Sequence, residues 1–180
     1  MHVSILSVGS FIGRLLSGVG SDFLVKNLHA SRTWCLTIAA VIFTIAQLLA
    51  ITITTPYYLV LVSSLSGLGY GFLFGVFPSI VAEAFGVNGL STNWGCITIA
   101  PIISGNIFNL FYGIVFDSNS IIGKDGTREC DMGRECYRPA YTLTSLASVV
   151  AVGTSLVSIW HHRREKERDE AHGKLMDREA

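Results

Sequence analysis

The stretch TWCLTIAAVIFTIAQLLAITITTPYYLVLVSSLSGLGYGFLFGVFPSIVA, residues 33–82, decides the fold. Its fifty consecutive residues include no Asp, Glu, Lys or Arg. A bilayer hydrocarbon core about 30 Å thick takes about 20 helical residues to cross, so the stretch holds two crossings. Thr55-Pro56 divides them, because proline lacks an N–H and restricts the residue before it. The expected helices are residues 33–53 and 57–81, the second ended by Pro78 and the Glu83-Ala-Phe-Gly86 segment.

Working outward, residues 84–116 and 139–160 are also free of charge. They predict helices at about 92–116 and 139–160, with Tyr141 and Trp160 near opposite interfaces. Gly86-Val-Asn-Gly89 reads as the loop before the first of these. On the N-terminal side, a helix at about 1–20 meets Arg14 and then Asp22. A charge at the bilayer centre is costly, so Arg14 belongs near an interface. The helix is then expected to be truncated at its start.

Composition agrees. Of 180 residues, 14% are charged, against about 25% in ordinary soluble domains, and mean hydropathy is +0.50. A soluble enzyme core is excluded. Thirteen basic residues balance thirteen acidic ones, which leaves no basic excess for nucleic acid. The expected organisation is an all-α transmembrane bundle over 1–160 with about five crossings, followed by a charged cytoplasmic tail over 161–180. The lipid bilayer is its first partner.

Five crossings divide the basic residues between two sides. Lys26 and Arg32 in the first loop join Arg163, Arg164, Lys166, Arg168, Lys174 and Arg178 in the tail. The opposite side has only Lys124, Arg128, Arg134 and Arg138. Lys and Arg concentrate on cytoplasmic loops, which places the first loop and the tail in the cytoplasm. Cys130 and Cys136 fall on the other, oxidising side, six residues apart, and a disulfide is expected there. Two free thiols are the alternative. Cys35 and Cys96 read as packing residues.

Several patterns carry chemistry or packing. Ser63, Gly67, Gly71 and Gly75 recur at spacing four, as do Gly9, Gly13 and Ser17. Such stripes let helices approach closely, and they also suit a helix that flexes. Asn106 and Asn109 share a helix face and read either as a substrate path or as interhelical hydrogen-bond partners. Glu83 reads as an interfacial charge. Arg14, Gly18 and Asp22 form the most specific local signal, at a cytoplasmic helix end. There Asp22 can cap a helix or pair with a basic residue. No nucleophile–base cluster, phosphate loop or metal-ligand spacing is legible, so no catalytic, cofactor or metal residue is assigned and no enzyme is expected.

Gly18-x-x-x-Asp22, preceded by Gly13-Arg14 and followed by Lys26 and Arg32, resembles the loop signature of the major facilitator superfamily. The wider pattern resembles the nodulin-like branch, in particular its fungal members. The residues that carry this are Ser10-Phe-Ile-Gly-Arg-Leu-Leu-Ser-Gly18 with Ser21-Asp-Phe-Leu24, and Gly75-Val-Phe-Pro-Ser-Ile-Val-Ala-Glu83 followed by Phe85-Gly-Val-Asn-Gly89. Ser91-Thr-Asn-Trp-Gly95 and the Cys130…Cys136-Tyr137 loop extend the pattern over most of residues 4–145. The chain departs from the signature at Phe23, where a basic residue is usual, and lacks the second glycine before the closing basic residues.

The resemblance implies that the five helices match the last five of twelve, most of a C-terminal six-helix bundle. It implies a carrier that moves a small solute by alternating access between two bundles, with the site at the midplane. The chain is then expected to be incomplete and to need a missing N-terminal bundle. A non-transporting membrane interaction or assembly protein, derived from a transporter half, is the alternative. The expected location is a vacuolar or plasma membrane, crossed several times.

Overall fold

The structure, a computed structural model, describes residues 2–28, 30–53, 55–122, 128–130 and 136–179. Lys124 and Arg134, counted above, lie outside the described residues. Four long helices dominate: α1 (His2–Leu28), α2 (Thr33–Thr52), α3 (Leu59–Asn119) and α4 (Arg138–Glu179). A 3-10 turn, Pro56–Tyr58, precedes α3, and a short ladder pairs β1 (Ile121–Ile122) with β2 (Arg128–Glu129) in antiparallel fashion. All four helices are long and apolar enough to cross a membrane. The protein is an all-α integral membrane protein that crosses the bilayer several times.

The third helix cannot be a single crossing. Its 61 residues would extend about 90 Å if straight, three times a bilayer core. Gly86 breaks it, with φ 73° and ψ 167°, a backbone region that is essentially glycine's alone. The chain reverses there. Phe77 and Trp94, nearly symmetric about Gly86 in sequence, meet with ring centroids 6.4 Å apart. Leu59 and Tyr112, also nearly symmetric, line one cavity. Two antiparallel arms, 59–85 and 87–119, therefore stand where helices at 57–81 and 92–116 were expected. The Gly86–Gly89 loop shrinks to one residue, because Val87, Asn88 and Gly89 already open the second arm. Pro78 lies inside the first arm rather than ending it, and Pro101 inside the second. A membrane helix tolerates them because neighbouring groups satisfy the freed carbonyls.

Two other bounds differ. The first helix runs to Leu28 instead of about 20. Nothing after Gly20 breaks it, since Phe23, Leu24, Val25 and Lys26 all continue a helix. Arg14, Gly18 and Asp22 thus occupy successive turns of α1 rather than a loop. The last helix continues past Trp160 through the charged tail, whose Glu, Lys and Arg residues are strong helix formers.

Packing follows the glycine stripes, which face one another. A Cβ at Gly71 would meet the Ser10 carbonyl, with its carbon 2.7 Å away. One at Gly13 would strike the Leu68 carbonyl, and one at Gly67 would strike that of Leu6. At Gly75 a Cβ would overlap the Ser17 hydroxyl and lie 3.1 Å from the Arg14 Cα. Helices α1 and α3 therefore touch backbone to backbone, where dispersion supplies the attraction that water cannot supply in lipid. The second helix is central. Its buried residues are small (Cys35, Thr37, Ala39, Ala46 and Ala50) and its neighbours are the first arm of α3 and α4. Large apolar side chains point outward instead, Phe11, Leu15, Ile102, Ile107 and Leu110 among them, as a lipid-facing surface requires.

The two ends of the bundle differ. One gathers the α1–α2 turn, Glu83 and the charged extension of α4. The other carries Tyr57, Tyr58, Tyr112, Tyr137 and Tyr141, a belt of the kind that sits at a membrane interface. Tyr141 and Trp160 are separated along α4 by about 28 Å of helix rise, one bilayer core.

Candidate functional site: an ionic latch and a polar cavity

At the charged end, Arg32 joins three segments. It stands in the turn before α2, directed back at α1 and across at α3. Its Nη1 donates to the Asp22 Oδ1 at 2.9 Å and to the Ser21 hydroxyl at 2.8 Å. Its Nε donates to the Glu83 carboxylate. The guanidinium is the hub: its side chain is 18% exposed, against 57% for each acid. The hydrogen bond to Glu83 pushes the Arg32 pKa above its ordinary value, and the bond to Asp22 adds to this while burial opposes it. Arg32 is thus a permanent cation. Ser21 is oriented for its role by donating to the Gly18 carbonyl at 3.2 Å.

The sequence signal at Arg14, Gly18 and Asp22 resolves into three different roles. Asp22 takes the pairing role open to it, with Arg32 as its partner. Gly18 lies exposed, with no atom near the place of a Cβ, and contributes its carbonyl. Arg14 contributes backbone to the Gly75 contact, while its side chain is exposed and has no ion-pair partner among the described residues. Glu83 and Arg32 are the members that sequence reasoning undervalued. Glu83 was legible only as a solitary acid at a membrane edge, and its partner lies fifty-one residues away.

At the opposite end, the expected asparagine face divides. Asn109 lines a small cavity of about 160 Å³ with Gln47, Tyr112, Tyr141 and Thr144. Asn106 is exposed and turns back to donate to the Ile102 carbonyl at 2.8 Å. Gln47 is the residue that sequence reasoning missed. It accepts from the Thr144 hydroxyl at 2.9 Å, which joins α2 to α4. A lone amide in a fifty-residue apolar run was the available signal. Cys130 and Cys136 are joined by a disulfide beside this end, with Cα atoms 6.5 Å apart. Cys35 is buried in α2, as a packing residue is, whereas Cys96 is exposed on the second arm of α3. Among the described residues no cluster of three His, Cys, Asp or Glu side chains gathers that would hold a metal.

A polytopic helical bundle with a glycine seam and an ionic latch at one end defines the class: a multi-pass helical membrane protein. The family model for the NFD4 C-terminal domain matches residues 1–168, and the chain belongs to that family. The match agrees with the resemblance to the C-terminal half of a nodulin-like major facilitator protein. An uncharacterised membrane protein of Saccharomyces cerevisiae is 35% identical over 156 residues, covering 80% of this chain and 28% of its own. The probable transporter MCH1 of Wickerhamomyces anomalus is 37% identical over 120 residues, 65% of this chain and 24% of its own. The protein of the same name in Saccharomyces cerevisiae is 32% identical over 169 residues, 92% and 34% respectively. The chain therefore spans about a quarter to a third of the length of these relatives. No solved structure matches it significantly.

Proposed function

We propose that the chain is the C-terminal part of a membrane carrier that moves a small solute by alternating access. The observation that carries this reading is the Arg32 hub. One guanidinium ties the C-terminal part of α1 to the end of the first α3 arm through Asp22 and Glu83. An exposed ion pair contributes on the order of 0–1 kcal/mol, too little to matter to a fold. The same energy shifts a two-state equilibrium by up to about fivefold, which is enough to bias a gate. The charge distribution supports a cytoplasmic position for this end. The names of the relatives, probable transporters, support the activity. The cavity around Gln47, Asn109 and Tyr141 is then part of the solute path, and an N-terminal bundle is the partner across it. The disulfide braces the outer loop.

The test is uptake of labelled sugars, amino acids and organic anions into vesicles that contain this chain within its two-bundle assembly. Arg32→Ala and Asp22→Ala are expected to lower net uptake several-fold and to raise labelling of cysteines placed at the cytoplasmic end. Uptake and labelling equal to those of the parent would overturn the latch. No uptake of any solute, with no solute-dependent thermal shift, would overturn the carrier reading in favour of an assembly role.

A further inference from the structure

We propose that the cleft at the charged end binds a phosphate group, that of an anionic phospholipid headgroup. The cleft has a volume of about 600 Å³ and opens to the outside between the α1–α2 turn, the first α3 arm and α4. Arg32, Trp34, Glu83, His162, Arg163 and Lys166 line it. Arg32 is already engaged by Asp22 and Glu83, so the unpaired charge of the cleft is carried by Arg163 and Lys166. Arg163 and Lys166 are three residues apart on α4, so they share a face, and neither has an acidic partner among the described residues. The unmatched charge points into a concave site rather than into open solvent.

A second feature adds to the first. The N-terminus of α2 opens into the same cleft, where Thr33 and Trp34 are lining residues. Arg32 at its N-cap supplies no side-chain cap, and the first turn has no acidic residue. The Trp34 and Cys35 amides are turned back onto the Ser31 and Arg32 carbonyls, so this end contributes through the dipole of the 20-residue helix, which reinforces the positive potential. The position suits a lipid. Trp34 lies under the Arg163 guanidinium, 6.0 Å from its ring centroid, and Trp160 lies 3.8 Å from that of Arg164. Paired indole and guanidinium groups occupy the headgroup layer of a membrane, where anionic lipid is present at high local concentration. A cleft of this size takes a phosphate together with its glycerol or inositol. Bound there, the phosphate would bridge the latch to α4, a contact that the solute path does not require.

The experiment uses the full chain in nanodiscs and reads thermal unfolding by tryptophan fluorescence. The discs contain phosphatidylcholine alone, phosphatidylcholine with phosphatidylinositol 4-phosphate, or phosphatidylcholine alone with added inorganic phosphate. The phosphoinositide is expected to raise Tm by about 4 °C or more. Arg163→Ala and Lys166→Ala should each lose at least half of that rise, while Arg168→Ala, outside the cleft, retains it. These substitutions leave the latch intact, so their outcome is separate from that of the transport reading. A rise with inorganic phosphate in neutral discs would assign the same site to a free anion. No rise with either probe, or an equal loss in all three variants, would overturn the proposal. Should an alanine variant unfold, Lys166→Arg, which keeps the charge, must keep the rise and Lys166→Gln must lose it.

Discussion

Single atoms decide the seam between α1 and α3. Gly71 and Gly13 are required because a Cβ at either would enter the opposite backbone, which cannot move aside as a flexible side chain can. Gly71→Ala is expected to destabilise the bundle by about 1–3 kcal/mol, read as a lower Tm in detergent. Gly18→Ala is the matched control. No atom lies within 4 Å of its Cβ position, and alanine is the better helix former by about 1 kcal/mol, so Tm should hold or rise. A lowered Tm in both variants would mean that helix flexibility, not contact, is what the glycines supply. The stripe itself was legible in the sequence. Which of its glycines carry the contact was not, because Gly18 and Gly71 differ only in what stands opposite them.

For the elements, the reversal at Gly86 matters most. Two arms folded back on each other make two crossings; a single straight helix would leave charge-free residues outside the bilayer. Cysteines at positions 77 and 94, replacing Phe77 and Trp94, are expected to cross-link on mild oxidation, since those rings meet across the hairpin. Absence of that cross-link, with a cross-link from Trp94 to a distant helix instead, would refute the antiparallel arms. The charge-free runs announced both arms. The sharpness of the turn was hidden, because Gly-Val-Asn-Gly reads as a loop until tertiary packing lets Val87 and Asn88 join a helix. The extension of α1 through Asp22 was hidden for a different reason: the cost of Arg14 at a bilayer centre argued for an early helix end, whereas no breaker stands before Leu28.

At the level of the whole molecule, α4 is long and apolar enough to cross a membrane, and a single crossing by it would set the disulfide before it and the charged extension after it on opposite faces. A membrane-impermeant reductant applied to sealed cells is expected to open Cys130–Cys136, while an antibody to the α4 extension binds only after permeabilisation. Both probes acting from one side would mean that α4 does not cross the bilayer between Arg138 and its charged extension. The latch and the Gln47 cavity lie at opposite ends, and α2, α3 and α4 each contribute residues to both ends.

The sequence alone determined that this chain lives in a membrane, roughly where it crosses, and which end collects positive charge. Lipid cannot satisfy a polar group, so spans are written as runs without charge, and such runs are local. Tertiary structure alone decided that the two glycine stripes are each other's partners, that Asn109 and not Asn106 faces the cavity with Gln47, and that Arg32 holds both Asp22 and Glu83. These are relations between segments tens of residues apart. In a bundle where every helix is apolar all round, hydrophobicity does not say which face meets which, and only shape and the few polar atoms can choose.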